Sequence, residues 1–465
     1  MKKFKEIQGL DATEENAEKE AKLQWDFNEC LKREEALWRQ KSRISWLTTP
    51  DLNTRFFHVT TIVRRRRNHM SFLKNEASTW TQGTKNIGKE FVEYYSQLFK
   101  SKNPPLPDVI EDILSPVFSE DDNNQLCLVP SNEEIKDTLF SMGSLKSPGL
   151  DGLLPLFYKH YWSIVKKYVI GAVYNFFQSG RMLKQQNHTF IALIPKVEGA
   201  SSIKQFRPIS LCNVTYKIIS KIIASRLKLL LPKVVSPWKG AFVPGRVIQD
   251  NSIIAHEVIN AMKKSKSKHG FMALKMDMEK AYDRMEWSYL LKVMKCLGFN
   301  DKWIALVREC ISTSSFSMMV NGSPHGMFFP SRGLRQDNSL SPFLFVLGSE
   351  VLSGILIKAE AGGKFKGFQL AQACPRISHL LFADDLIIFS RDLEEDAKAI
   401  KNCLDQYQLW SGQKVNWQKS TVMFNIKVPR GSQRAICWLT NLKSTHFHSK
   451  YLGLPYALIN LKGIL

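Results

Sequence analysis

Three carboxylates are the residues in this chain most capable of chemistry. Phe271-Met272-Ala273-Leu274-Lys275-Met276-Asp277 reads as a strand that ends in an acid. Further on, Leu380-Leu381-Phe382-Ala383-Asp384-Asp385-Leu386-Ile387-Ile388-Phe389 sets two adjacent acids between apolar runs, the pattern of a β-hairpin with carboxylates at its turn. Adjacent acids in so apolar a setting are costly unless a divalent cation compensates them. Mg²⁺ takes oxygen ligands and binds one or two carboxylates together with substrate phosphates. Two such ions, about 3.5–4 Å apart, can stabilise the attacking and leaving oxygens of an in-line displacement at phosphorus. An acid at a strand end and a second on a neighbouring hairpin would make that clamp. Taken alone, an Asp-Asp pair is as readily a solvated turn or a helix cap.

The elements that must position these acids can be read from periodicity and punctuation. A long amphipathic helix is expected from about Asp11 to Trp46, with Leu23, Phe27, Cys30, Leu31, Leu37 and Trp38 at helical spacing. Arg64-Arg65-Arg66-Arg67 follows. It reads either as a solvated charge run or, with Phe56, Phe57 and His58 close by, as a strip that contacts nucleic-acid phosphates. Pro104, Pro105 and Pro107 mark a linker. Ser131-Asn132-Glu133-Glu134 resembles a capping box that opens a second region. Thr189 to Ile194 reads as a strand, Tyr216 to Leu229 as a helix, and Lys263 to Lys268 as an exposed loop. Phe343 to Ile357 is the longest apolar run; Glu350 interrupts it, and it reads as a buried helix with no role in a membrane.

Composition sets the partner class. Lys and Arg number 65 against 43 Asp and Glu, a net charge of +22, and such an excess points to a polyanion. The eight cysteines include no C-x-x-C pair and no zinc spacing, which implies reduced thiols in an intracellular compartment.

The ordered motifs resemble the reverse transcriptases of LINE-type non-LTR retrotransposons, most closely those of plants. Ser147-Pro148-Gly149-Leu150-Asp151-Gly152 is similar to the family's S-P-G-x-D-G segment. Ile191 to Lys196 is similar to its L-I-P-K strand, and Phe206-Arg207-Pro208-Ile209-Ser210-Leu211 to R-P-I-S-L. Gly240 to Arg246 resembles Q-x-G-F-x-P-G-R. Lys275 to Arg284, Gly333 to Pro342, Phe382 to Asp385 and Tyr451-Leu452-Gly453-Leu454-Pro455 complete the series in order.

The resemblance implies an α+β fold: a right-hand polymerase with an antiparallel palm sheet backed by helices, and fingers before it. A basic helical N-terminal extension would span residues 1–105, fingers and fingers–palm segments 131–265, and the palm 266–457. The implied reaction adds deoxynucleoside triphosphates to a DNA primer on an RNA template. Asp277, Asp384 and Asp385 would be the catalytic metal ligands for two Mg²⁺ ions, with Mn²⁺ as an alternative. Tyr282 would be the steric gate against a ribose 2′-hydroxyl. Lys196 and Arg207 would reach the triphosphate. Gln336 would touch the template or incoming base, and Lys419 would protonate pyrophosphate. Asp283 and Arg284 would pair near a helix start.

One segment departs from the pattern. The family reads R-Q-G-D-P-L-S-P where this chain has Arg335-Gln336-Asp337-Asn338-Ser339-Leu340-Ser341-Pro342. Asp337 stands where glycine permits unusual dihedrals, and Asn338 and Ser339 should loosen the turn. Nothing before Asp11 resembles the family's endonuclease, and the chain ends within about ten residues of Pro455. The resemblance thus implies a piece truncated at both ends, without a thumb, and with impaired activity. The alternatives are an inactive RNA-binding remnant and, last, an intron maturase.

Overall fold

The computed structural model describes residues 13–42, 44, 54–75, 78–265, 270–445, 450–452 and 454–455. Met1 to Asp11 and all of Lys266 to His269 therefore lie outside the described residues, as do the last ten positions. The described chain is a mixed assembly of helices and mostly antiparallel sheets, divided into two compact units.

The first unit comprises residues 1–87 with 194–207 and 320–323. Its main feature is a pair of packed helices, α1 (Glu14–Ser42) and α2 (Thr54–Asn68). Helix α1 carries Glu14 and Glu15 in its first turn and Arg39 and Lys41 in its last, the order the helix dipole favours. Trp38 meets His58 edge-on at 4.1 Å between ring centroids, joining the two helices.

The second unit holds the rest of the described chain. Its principal strands are β1 (His188–Pro195), β2 (Phe206–Cys212), β3 (Phe271–Met276), β4 (Ser315–Val320), β5 (Ser323–Phe328), β6 (His379–Phe382), β7 (Asp385–Arg391), β8 (Thr421–Phe424) and β9 (Lys443–Ser444). The ends of β1, β2, β4 and β5 fall in the first unit. Its principal helices are α3 (Val214–Val234), α4 (Ile248–Lys264), α5 (Trp287–Cys296), α6 (Ser341–Ala361), α7 (Glu394–Ser411) and α8 (Arg430–Thr440). A four-stranded sheet runs β2-β1-β4-β5, with β1 parallel to β4. A five-stranded sheet runs β6-β7-β3-β8-β9. Its β6–β7, β7–β3 and β3–β8 ladders are antiparallel, as expected of the acid-bearing sheet; the edge pair β8–β9 is parallel.

The five-stranded sheet is buried on both faces, which explains the continuous apolar runs around the acids. Met272, Leu274, Met276, Leu386, Ile388 and Val422 face the large core with α3, α5, α6 and α7. Ala273, Ile387, Phe389 and Met423 face a smaller core with Ala255, Val258 and Ile259 of α4. Alternation along each strand divides these two sets.

Helix α6 is long and apolar enough to cross a membrane by length and composition. It is the central core helix here, with Leu344, Leu347, Val351, Leu352 and Leu356 all buried. Glu350 within it is buried and paired with Lys239 at 2.8 Å. The expected strand at Thr189–Ile194 and helix at Tyr216–Leu229 fall inside β1 and α3. Ser131 caps its helix by accepting from the Glu134 amide at 3.1 Å. Lys263 and Lys264, read as part of a loop, instead form the last turn of α4.

Candidate active site

Register brings the acids together. Leu386 pairs with Met276 in the β7–β3 ladder, so Asp385 and Asp277 are the next residues along two adjacent strands. Phe382 pairs with Asp385 across β6 and β7, leaving Ala383-Asp384 as a two-residue hairpin turn. Ala383 has φ 55°, the positive value that the first turn position of a tight hairpin demands. Glycine is the usual residue there, and an L side chain in that region costs about 1–2 kcal/mol. The turn holds Asp384 exposed and Asp385 half-buried.

Asp277 is fixed through its backbone. Its N–H donates to Ser420 Oγ at 3.0 Å, and its carbonyl accepts from the Asn416 N–H at 2.8 Å. The segment after α7 thus clamps the end of β3 and brings Lys419, which is exposed, next in chain to the Ser420 contact. Burial pushes the Asp385 carboxyl up, the Asp384 and Asp277 charges push it further, and Lys275 opposes them. Lys275 precedes Asp277 by two on β3 and so shares its face. Neither Lys275 nor Tyr451 was expected at the site. Tyr451 is buried, and the Asp385 charge adds to the upward shift that burial gives its hydroxyl. The i, i+2 spacing of Lys275 and Asp277 was a usable signal; Tyr451 opens a segment that the sequence already singles out, but nothing in that segment points to Asp385.

Tyr282 lies beside these acids. Burial raises its hydroxyl pKa, and the Asp384 charge adds to the shift. Its ring stacks on Phe345 at 4.9 Å with 15° between planes. The preceding Lys280 has φ 51°, and its ammonium lies 4.5 and 4.8 Å from the ring centroids of Tyr94 and Tyr95. Asp283 and Arg284 do not pair with each other, contrary to expectation. Asp283 is buried and accepts from Gln336 Nε2 at 3.0 Å, while Arg284 reaches Glu279 at 3.4 Å. Successive helical positions point about 100° apart, so neighbours in sequence seldom share a partner.

The segment Gly333 to Ser341 packs against that helix start. Gly333 has φ 93°, and a Cβ there would lie 2.7 Å from the Asp283 carbonyl oxygen, so only glycine fits. Asp337 has φ 68° and is exposed, which agrees with a position that calls for unusual dihedrals. Aspartate tolerates this region better than most residues. The turn is not loosened as expected. Asn338 is buried, and its Oδ1 accepts from the Leu340 N–H at 2.8 Å. Arg335 is buried and donates to Asn187 Oδ1 at 2.6 Å and Thr189 Oγ1 at 3.2 Å, with its guanidinium 3.9 Å from the Tyr216 centroid.

In the first unit, Lys196 and Arg207 are both exposed at the two ends of one loop. Lys196 Nζ donates to the Lys204 carbonyl at 3.3 Å. The four arginines do not form a uniform strip, because a helix fans consecutive residues around its axis. Arg64 donates to the carbonyls of Ser42 and Lys41 at the end of α1, and Arg67 pairs with Glu198 at 3.4 Å. Arg65 and Arg66 are exposed.

Among the described residues, no group of three or more His, Cys, Asp or Glu side chains is gathered closely enough to hold a metal ion. The three acids nevertheless fit a hard divalent cation in donor type, and their mutual repulsion at Asp385 is what such a charge would relieve.

A family model described as reverse transcriptase (RNA-dependent DNA polymerase) matches residues 194–456, more than half of the chain. The chain belongs to the reverse transcriptase family. The chain is 28% identical over 383 residues to the transposon TX1 uncharacterized 149 kDa protein of Xenopus laevis, covering 82% of this chain and 29% of that one. It is 25% identical over 260 residues to the retrovirus-related Pol polyprotein from type-2 retrotransposable element R2DM of Drosophila melanogaster, covering 56% and 23%. The chain thus spans less than a third of the length of these relatives. A solved apo telomerase from Candida tropicalis, truncated from its C-terminal domain, aligns over 84% of this chain and 91% of its own. Its TM-score is 0.39 at 13% identity, a similarity too slight to bear on the fold. These matches agree with the LINE-type, non-LTR assignment drawn from the motifs.

Proposed function

We propose that this reverse transcriptase domain extends a DNA primer on an RNA template, with residues 131–265 acting as fingers and 266–457 as palm. The observation that carries the reading is the register that sets Asp277 beside Asp385, with Asp384 on the connecting turn. Asp277, Asp384 and Asp385 would hold two Mg²⁺ or Mn²⁺ ions, whose chemistry when bound is to stabilise the attacking and leaving oxygens. The Tyr282 ring, held by Phe345, would exclude a ribose 2′-hydroxyl and so select deoxynucleotides. Lys196 and Arg207 would bind the triphosphate, Arg207 with its planar fork and Lys196 as a point charge. Gln336, its amide nitrogen held by Asp283, would offer the rest of its amide to the template strand. Lys419 would donate a proton to the departing pyrophosphate. Arg65 and Arg66, with Arg64 and Arg67 anchoring their helix, would contact the RNA backbone.

A second reading, an inactive RNA-binding remnant, is favoured by one observation: the exposed negative charge of Asp337 on a turn with φ 68°. Primed poly(rA) with dTTP and Mg²⁺ separates the two. Extension supports the enzyme; RNA binding without extension supports the remnant.

A further inference from the structure

Helix α8 carries a surface for which the polymerase site has no use. Trp438 is 87% exposed, although indole is the largest apolar side chain available and normally sheltered. Arg430 and Arg434 precede it at intervals of four residues. That spacing puts all three on one side of the helix, about 6 Å apart along its axis. The opposite side is anchored: Ile436 and Thr440 are buried, Leu439 packs on the core, and Lys401 donates to the Leu439 carbonyl at 2.9 Å. The stripe therefore stands on a fixed base. Neither Arg430 nor Arg434 has an ion-pair partner among the described residues, and the helix contains no acid. The loop that leads into it adds the exposed Lys427 and the 92% exposed Ile426.

We infer that the Arg430–Arg434–Trp438 stripe is a docking surface for single-stranded RNA, the arginines contacting phosphates and the indole stacking on an unpaired base. The charge is complementary to a phosphate backbone, and no acid among the described residues pairs with either arginine. Guanidinium pairs with an accessible aromatic face are the elements of sequence-tolerant single-strand binding. An indole needs an unpaired base. In the reaction proposed above the primer strand is paired, so the unpaired strand that the protein handles is the template; the choice of RNA rests on that reading.

The test uses the full chain and a fluorescein-labelled 20-nucleotide oligo(A) RNA, its DNA equivalent, and anisotropy over a range of salt. Trp438→Ala should weaken RNA binding roughly tenfold, whereas Trp438→Phe keeps it within about threefold. Trp438→Leu should behave like Ala, since it retains apolar bulk but no ring to stack. Arg430→Ala with Arg434→Ala should lower the slope of log affinity against log salt by about 1.4, two single-strand phosphates' worth. Circular dichroism of each variant establishes that it is folded. Unchanged affinity and slope in folded variants would overturn the inference. So would loss confined to the DNA oligonucleotide, or a full-strength Leu variant, or a change in oligomeric state with RNA binding intact. The assay contains no dNTP. A wild type that fails to extend primers while the stripe variants lose RNA binding would sink the polymerase reading and leave the stripe standing.

Discussion

Two tight turns of the larger unit make the same backbone demand and meet it differently. The hairpin turn Ala383-Asp384 and the turn at Asp337 each hold a residue other than glycine at positive φ, 55° and 68°. At the hairpin, ladders on β6 and β7 fix the turn from both sides, and the strain aims acids off the end of a sheet buried on both faces. At Asp337 no ladder runs through the turn. Arg335 and Asn338 hold it through buried side-chain hydrogen bonds. Backbone strain alone therefore does not mark a catalytic position; what the surrounding framework does with it decides.

The comparison breaks most severely if the hairpin acids are dispensable. Asp384→Asn or Asp277→Asn should reduce primer extension by about three orders of magnitude or more, with RNA affinity nearly unchanged. Normal extension rates in either variant would remove the distinction between the turns. Support beneath the hairpin is the next largest effect. Lys239 is buried against Glu350, and its neighbour Gly240 donates to the Leu381 carbonyl of β6 at 3.1 Å. Lys239→Met should cost about 3–5 kcal/mol in denaturant unfolding, because it strands a buried carboxylate. Lys239→Met with Glu350→Leu should recover most of that loss.

His379 on β6 sharpens the hairpin side through pH. It is buried among Ser353 and Ser378, and burial with the nearby Lys239 charge lowers its pKa to about 3. The unfolded chain binds a proton below about pH 6.5, which the folded chain refuses until about pH 3. Stability should therefore fall as pH drops through that window. Chemical denaturation at pH 7 and pH 5 should differ, and His379→Gln should flatten the difference. The smallest effect is at the other turn. Asp337→Gly should stabilise by less than about 1 kcal/mol, since aspartate tolerates left-handed backbone, and should raise extension several-fold by removing a negative charge. A loss of activity there would mean that Asp337 is used rather than tolerated.

Much of the acid-bearing region was legible in the sequence because its information is local. Continuous apolar runs mark β3, β6 and β7, and the acids between the last two mark the hairpin turn, with Asp384 on the turn and Asp385 opening β7. Register was not legible in the same way, because both faces of this sheet are apolar and a one-residue slip would bury the same kinds of side chain; the ladders fix it. Arg64 was not legible, because its partners are carbonyls of Ser42 and Lys41 on another helix. The same holds for Tyr451 beside Asp385 and for Gln336 on Asp283, contacts set by tertiary packing that no spacing encodes. The turn at Asp337 was half legible: the residue change announced a backbone problem, but not that Asn338 would close the turn.

The most direct test of the account is Mn²⁺ titration followed by electron paramagnetic resonance on the wild-type chain and on Asp277→Asn. The account predicts Mn²⁺ uptake by the wild type that weakens by at least tenfold when Asp277 loses its charge, since one carboxylate of a shared set has gone. Equal uptake by both proteins would mean that Asp277, Asp384 and Asp385 do not act on a common ion.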